Sequence, residues 1–281
     1  MSNPVTAYQS IVDVGQSTVL QGDANAQTNT NMLQLNPGFL DSRGNRVRTR
    51  GTGLGYVRLF NGSGSTGYVG IGVRIPNDLW TAGQWVDATT TFTDDTLAAQ
   101  DRLATDFPLE TLTINDGFLI SSDVQFNAVL IDVITASNLA AGDPVRAARY
   151  SNAAGTGWAA LTTVAHTAAT VEYAAATETV IVWDVPLDWG RHVSGLGTNT
   201  PLNRYLVNVR ATTTPDTTAG VATALSIYRI YFLESIATAT AKTVDFTGAE
   251  ARLPYGDGVV GFFAVASAGN RVTALLRPRS T

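Results

Sequence analysis

From Tyr56 onward the apolar and polar positions alternate with a period of two. In GYVGIGVRI, Val69, Ile71, Val73 and Ile75 share one face while Gly70, Gly72 and Arg74 take the other. Strict alternation of this kind predicts a half-buried strand. The preceding run YVRLF, separated by NGSGSTG (61–67), predicts a hairpin with a flexible tip. In SSDVQFNAVLIDVIT the alternation Val124, Phe126, Ala128 gives way to a continuous apolar run, the pattern of a strand buried on both faces. TVIVWDVPLDW is the clearest strand, with Ile181, Trp183, Val185, Leu187 and Trp189 on one face. Pro186 cannot donate to a ladder, so this strand is expected at an edge or to end in a bulge there. RYLVNVRATTT and ALSIYRIYFLES are further strands, separated by PDTTAG (215–220). VVGFFAVAS and RVTALLR flank Gly269-Asn270, a pair suited to a two-residue hairpin turn.

One segment breaks the period. TDDTLAAQDRLATDF (93–107) reads either as a short helix, with Thr93 as N-cap and Asp94 and Asp95 at its positive end, or as an Asp-rich loop. About ten to twelve strands with turn signals between them, and no βαβ units, predict an all-β antiparallel β-sandwich or a barrel. Residues 1–52 are rich in Asn, Gln, Thr and Gly and have no sustained period. They are expected to form an extended N-terminal arm, followed by a sandwich domain over 53–281 in which 242–281 reads as a C-terminal hairpin subregion.

Composition adds context. Thr fills 38 of 281 positions, and charged residues make up only 15%. A β-branched residue loses little on a pleated surface, so the Thr content agrees with the strand reading. The 24 aromatic residues (5 Trp, 9 Tyr and 10 Phe) exclude general disorder. A single Lys, Lys242, excludes a coiled coil. The net charge of −5 argues against direct nucleic-acid binding. Four Arg nevertheless cluster within eight residues: Arg43, Arg46, Arg48 and Arg50. They read as a solvated loop or as an arm docking on an acidic neighbour. The chain has no Cys, and its first residues lack the basic and apolar regions of a signal peptide. No stretch approaches 18 apolar residues, so no membrane span is expected. A protein made in a cytosol, yet with the Thr-rich, Lys-poor composition of an extracellular β-protein, fits a virion component released by lysis.

No motif identifies a reaction, and the chain is expected not to be an enzyme. His166 has no acid nearer than Glu172, and GxSxG is absent. Asp188, Arg191 and His192 are candidates for a polar pocket beside Trp189, against a reading of His192 as an exposed loop residue. Asp94 and Asp95 are neighbours that tend to diverge, so they do not suggest facing catalytic carboxylates. Together with Asp257 they are candidates for a calcium ion, but no EF-hand loop occurs. No cofactor is expected. Trp80, Trp85, Trp158, Trp183 and Trp189 are candidates for a sugar-stacking platform or for core and interface packing, and Trp80 and Trp85 lie close together in NDLWTAGQWVD.

NDLWTAGQWVDATTTFTDDTLAAQD followed by DFPLETLTINDGFLISSDVQFNAVLIDV resembles bacteriophage virion structural proteins, in particular head-decoration (cement) and head-fibre proteins. The resemblance covers about residues 80–235. It implies a jelly-roll-like sandwich displayed on the capsid surface, commonly as a homotrimer, with the major capsid protein or other virion subunits as partners. It implies no catalytic residues. The function expected from it is capsid decoration, and the alternative is a receptor- or glycan-binding fibre or tail module.

Overall fold

The computed structural model describes residues 18–23, 32–35, 39–40, 46–47, 52–61, 67–101, 106–137, 146–166, 178–212, 218–237, 239–245, 260–263 and 271–278. The described residues are nearly all β. Helix is confined to one α turn and one 3-10 turn among them, in line with the alternation. The chain divides into two compact units, 1–74 with 230–281, and 75–229.

The first unit contains β1 (Thr18–Asp23), β2 (Met32–Leu35), β3 (Phe39–Leu40), β4 (Arg46–Val47), β5 (Thr52–Asn61) and β6 (Gly67–Arg74). Within the segment expected as an arm, the described residues are those of β1 to β4 and the first residue of β5. Strand β1 pairs along its length with the C-terminal Arg271–Pro278, and β2 pairs with Val260–Phe263. These runs of four to six residues are too short to stand out in a Thr/Asn-rich context. The YVRLF–GYVGIGVRI hairpin does not form either. Strand β5 pairs with Thr240–Asp245 and Arg271–Pro278, while β6 pairs with Val260–Phe263. Alternation identifies a strand but not its neighbour, and a five-residue linker is long enough to pass from one sheet to another.

The second unit is the sandwich. Its strands are β7 (Trp80–Val86), β8 (Thr91–Asp94), β9 (Phe107–Pro108), β10 (Gly117–Ser122), β11 (Ala128–Thr135), β12 (Arg146–Ser151), β13 (Trp158–Leu161), β14 (Thr163–His166), β15 (Glu178–Trp183), β16 (Tyr205–Ala211) and β17 (Val221–Ile236). One sheet has the order β13-β12-β16-β10-β7-β8, and within this unit the other runs β14-β15-β11-β17, with β9 on β17. All the ladders described in it are antiparallel. The core lies between the two sheets. From the first come Trp80, Ala82, Phe118, Ile120, Tyr150, Val207 and Val209; from the second come Val129, Ile131, Ile181, Trp183, Leu225 and Ile227. Each large side chain buried here contributes about 1.5–3 kcal/mol. An aromatic chain runs through the core, with Phe126 centred 5.5 Å from Trp183 and 5.4 Å from Trp189, and Trp189 5.5 Å from Tyr205. Edge and tilted arrangements of this kind add to the burial.

Strand β15 stops at Trp183. It lies between β11 and β14 rather than at an edge. Past it the predicted alternation fails: Leu187 is fully exposed while Trp189 turns back into the core. The ladder ends at Trp183, three residues before Pro186, which has no N–H with which to resume it. The remaining strands, β18 (Thr240–Asp245), β19 (Val260–Phe263) and β20 (Arg271–Pro278), belong to the first unit. Strand β19 pairs with β6 and β2, and β20 with β5 and β1; Gly269-Asn270, expected to form a hairpin turn, lies outside the described residues.

The helix expected in 93–107 is short, α1 (Thr96–Gln100). Its N-cap is Asp95 rather than Thr93, without a side-chain cap bond, and the Asp94 carboxylate accepts from both the backbone N–H and the hydroxyl of Thr96. Its Ala98 and Ala99 are buried and its Leu97 is exposed.

Candidate cleft on the outer sheet face

The six-stranded sheet is buried on both faces at its centre. All six residues of β10, GFLISS, are buried. Phe118 and Ile120 enter the main core, and the alternate Leu119 enters a second cluster with Trp85, Phe92, Leu196 and Leu206. Period two makes this unavoidable: residues of opposite parity on one strand serve opposite faces. The cover over the outer face is the segment 190–204. Ser151 in β12 anchors it by donating to the Gly190 carbonyl (2.6 Å) and accepting from the Leu206 N–H (3.2 Å). At the far side Thr198 donates its N–H to the Thr90 carbonyl (2.8 Å), and Phe92 donates to the Thr198 carbonyl (3.0 Å).

A cleft of 410 Å³ opens between this cover and the sheet, lined by Trp85, Asp87, Thr90, Arg149, Trp158 and the loop Gly195–Thr198. The register places its parts. Arg149 on β12 stands opposite Asn208 on β16, and Trp158 opens the neighbouring strand β13. Arg149 Nε donates to Asn208 Oδ1 (2.8 Å), and the buried Asn208 amide donates onward to the Phe118 carbonyl (2.9 Å). Arg149 Nη2 donates to Asp87 Oδ1 (3.0 Å). The guanidinium lies over the rings of Trp158 (4.7 Å) and Trp85 (5.5 Å), and the two indoles meet edge to face at 5.9 Å. Cation–π contacts of this kind strengthen when partly desolvated.

Asp87 Oδ1 also accepts from Trp85 Nε1 (3.2 Å) and lies 3.8 Å from Arg210 Nη1. Asp87 is itself oriented by its backbone N–H, which donates to Asp116 Oδ1 (2.8 Å), while Thr111 donates to Asp116 Oδ2 (2.6 Å). Burial, with the like charge of Arg210 beside it, lowers the Arg149 pKa from its ordinary value, and the bond to Asp87 opposes that shift. Gly197 has φ of +117°, and a Cβ there would meet the Thr90 carbonyl at 2.4 Å and the Trp85 ring at 2.7 Å. Glycine is what lets this loop close over the indole.

The sequence-derived candidates separate. Trp80 and Trp85 sit five residues apart on one strand, so they serve opposite faces, and each is 1% exposed. They do not form one exposed platform. Trp80 packs in the main core, and Trp85 floors the cleft. Of the five Trp candidates for a platform, Trp158 lies half-buried at the cleft with Trp85, while Trp183 and Trp189 pack in the main core with Trp80. Arg43, Arg48 and Arg50 lie outside the described residues, and of Arg46 only the backbone, opposite Leu40, is described. Asp188, Arg191 and His192 do not converge. Asp188 accepts from Tyr150 OH (2.7 Å), and Arg191 donates to the Asn203 and Asp123 carbonyls and lies over Tyr205. His192 is buried rather than exposed at the end of a strand. Its Nδ1 lies 2.8 Å from the Pro201 carbonyl, which fixes that nitrogen as the donor. Asp95 has its carboxyl pKa raised by burial and by the adjacent Asp94. Asp257 lies outside the described residues, and among the described residues no cluster of three or more His, Cys, Asp or Glu could hold a metal ion. The side chain of His166 is likewise outside them.

No protein family, no curated protein and no solved structure matches the chain.

Proposed function

We propose that the chain is a non-enzymatic structural protein of a phage particle that decorates the capsid, bridging neighbouring capsid subunits so that the shell resists internal pressure. The observation that carries this reading is the loop Asp184–Trp189. It offers Leu187, fully exposed, from a rigid base. Trp189 is sunk in the core, its N–H donates to the Pro186 carbonyl (3.4 Å), and Tyr150 holds Asp188. Single exposed Leu residues are ordinary on protein surfaces. A Leu held out by an anchored, proline-containing loop is different, because little conformational entropy is lost when a partner covers it. Leu97, Leu202 and Val193 are further apolar side chains left open in the same unit. The Arg43, Arg46, Arg48 and Arg50 cluster is assigned the complementary contact with acidic groups of a neighbouring subunit, since a guanidinium pairs a carboxylate in bidentate fashion. The decoration protein acts as a homotrimer.

The runner-up, a receptor- or glycan-binding fibre or tail module, is favoured by the cleft at Trp158. One experiment separates the two. Purified protein is mixed with tailless, undecorated heads and, separately, with host cells, and both are sedimented. Decoration predicts that the protein pellets with heads and that Leu187→Asp releases it. Pelleting with cells alone would transfer the assignment to the fibre module.

A further inference from the structure

We infer that the cleft between Trp85, Arg149 and Trp158 is a binding site for a neutral sugar, sized for about one hexose unit. The site belongs equally to a decoration protein or a fibre module, and so stands or falls independently of head attachment.

Three features of the cleft define the ligand. The first is unused hydrogen-bonding capacity on fixed groups. Asp87 Oδ1 is occupied by Trp85 Nε1 and Arg149 Nη2, whereas Oδ2 makes no hydrogen bond among the described residues, and the side chain keeps 30% exposure. Arg149 spends Nε on Asn208 and Nη2 on Asp87, leaving Nη1 without a bond among the described residues. A carboxylate oxygen and a guanidinium N–H side by side are an acceptor and a donor, which is what adjacent hydroxyls of a pyranose present in return. The Thr198 hydroxyl adds a group that serves in either role at the rim, and the Thr90 hydroxyl, which donates to the Thr89 carbonyl (2.8 Å), adds an acceptor.

The second feature is the aromatic wall. Trp158 is half-buried and lines the cleft, offering apolar surface to the C–H side of a sugar ring. Sites for small ligands combine such surface with a few placed polar groups, in volumes of about 300–1,000 Å³. At 410 Å³ this cleft is near the lower bound.

The third feature is charge. Arg149 and Arg210 face Asp87, and Asp87 is tied to Asp116. Two guanidiniums and two carboxylates cancel, and an acidic sugar would set its carboxylate against Asp87. The ligand is therefore uncharged. The groups are already held by bonds to one another, so binding orders little that was free.

The test uses the five indole N–H signals of the full ¹⁵N-labelled chain. Methyl glucoside, methyl galactoside, methyl mannoside and N-acetylglucosamine are titrated one at a time, with glucuronate and sialic acid as acidic probes. At least one neutral sugar is expected to move two indole signals, those of Trp85 and Trp158, with a Kd on the order of 1 mM. Trp80, Trp183 and Trp189, in the core between the sheets, should stay still. Thr198→Phe plugs the mouth of the cleft from an exposed position and should weaken binding by about tenfold or more while the five-signal spectrum reports an intact fold. Asp87→Asn, which keeps the shape of the frame, should weaken it to a lesser extent. The inference is overturned if no neutral sugar moves the two signals, if only the acids do, or if Thr198→Phe binds as tightly as the parent.

Discussion

Asp87 answers two guanidiniums at once, and its removal is the most informative single change in the cleft. Asp87→Ala leaves Arg149 and Arg210 as like charges without their shared counter-ion. Breaking a buried pair by deleting one partner costs about 3–5 kcal/mol, and an exposed pair is worth about 0–1 kcal/mol. Here the Arg149 side chain keeps 15% of its exposure and Asp87 30%, so solvent screens the site in part. The expected loss is about 2 kcal/mol, between those limits. Part of it comes from Trp85 Nε1, which loses its acceptor. Arg149→Met supplies the control, because it removes the charge while its methylenes still pack on Trp158. If the cost of Asp87→Ala is mainly an unanswered guanidinium, the same change in the Arg149→Met background should cost about 1 kcal/mol less. Urea unfolding of the four proteins, followed by tryptophan fluorescence, measures both numbers. A loss under about 0.5 kcal/mol, with no coupling between the sites, would refute the view that these groups form a prebuilt polar frame.

Tyr150 is held neutral by its bond to Asp188 and by burial, which raise its pKa above the ordinary 10.0. A raised folded-state value stabilises fully below pH 10 and is lost as pH climbs through the folded pKa. Stability of the parent should therefore fall above about pH 10, and Tyr150→Phe should flatten that fall. Glu110→Ala strips the acceptor from buried Ser137 Oγ and from the Gly220 N–H, and should cost about 1–3 kcal/mol in denaturant midpoint experiments. Trp183→Ala opens a cavity between the sheets and should cost about 3–5 kcal/mol, detectable as a large drop in Tm. Gly197→Ala forces a Cβ into the Trp85 ring at a positive φ, and should destabilise by more than about 1 kcal/mol while shifting the Trp85 indole signal.

The sequence carried the architecture further than the connectivity. Val69–Ile75 and the run at 128–133 read correctly as strands because period two reports one buried face and a continuous run reports two. What period two cannot report is the partner. The linkers at 61–67 and 268–271 look like hairpin turns, yet the strands on either side of each join different neighbours. In the same way, β1 and β2 were hidden because a four- to six-residue run gains its place from pairing with the C-terminal strands, a contact of very long sequence separation. TVIVWDVPLDW shows the limit of a pattern taken alone: apolar residues continue past Pro186 at even spacing, but the ladder stops at Trp183, three residues before the proline. The cleft was only partly legible. Trp85 was singled out, but paired with Trp80, although a five-residue spacing on a strand sends the two to opposite faces. Arg149 and Trp158 lie on one pair of neighbouring strands, but Asp87 is 62 residues from Arg149, and no local spacing encodes that meeting.

The measurement that bears most directly on the proposed function is a particle map. Particles are purified from cells producing the chain, the chain is located by mass spectrometry, and the particles are imaged by electron cryomicroscopy. Capsid decoration predicts sandwich density in threefold groups on the outer shell, with the Asp184–Trp189 loop and the residue 43–50 segment against capsid subunits. Density only at fibres or tail, or particles that contain none of the chain, would contradict it.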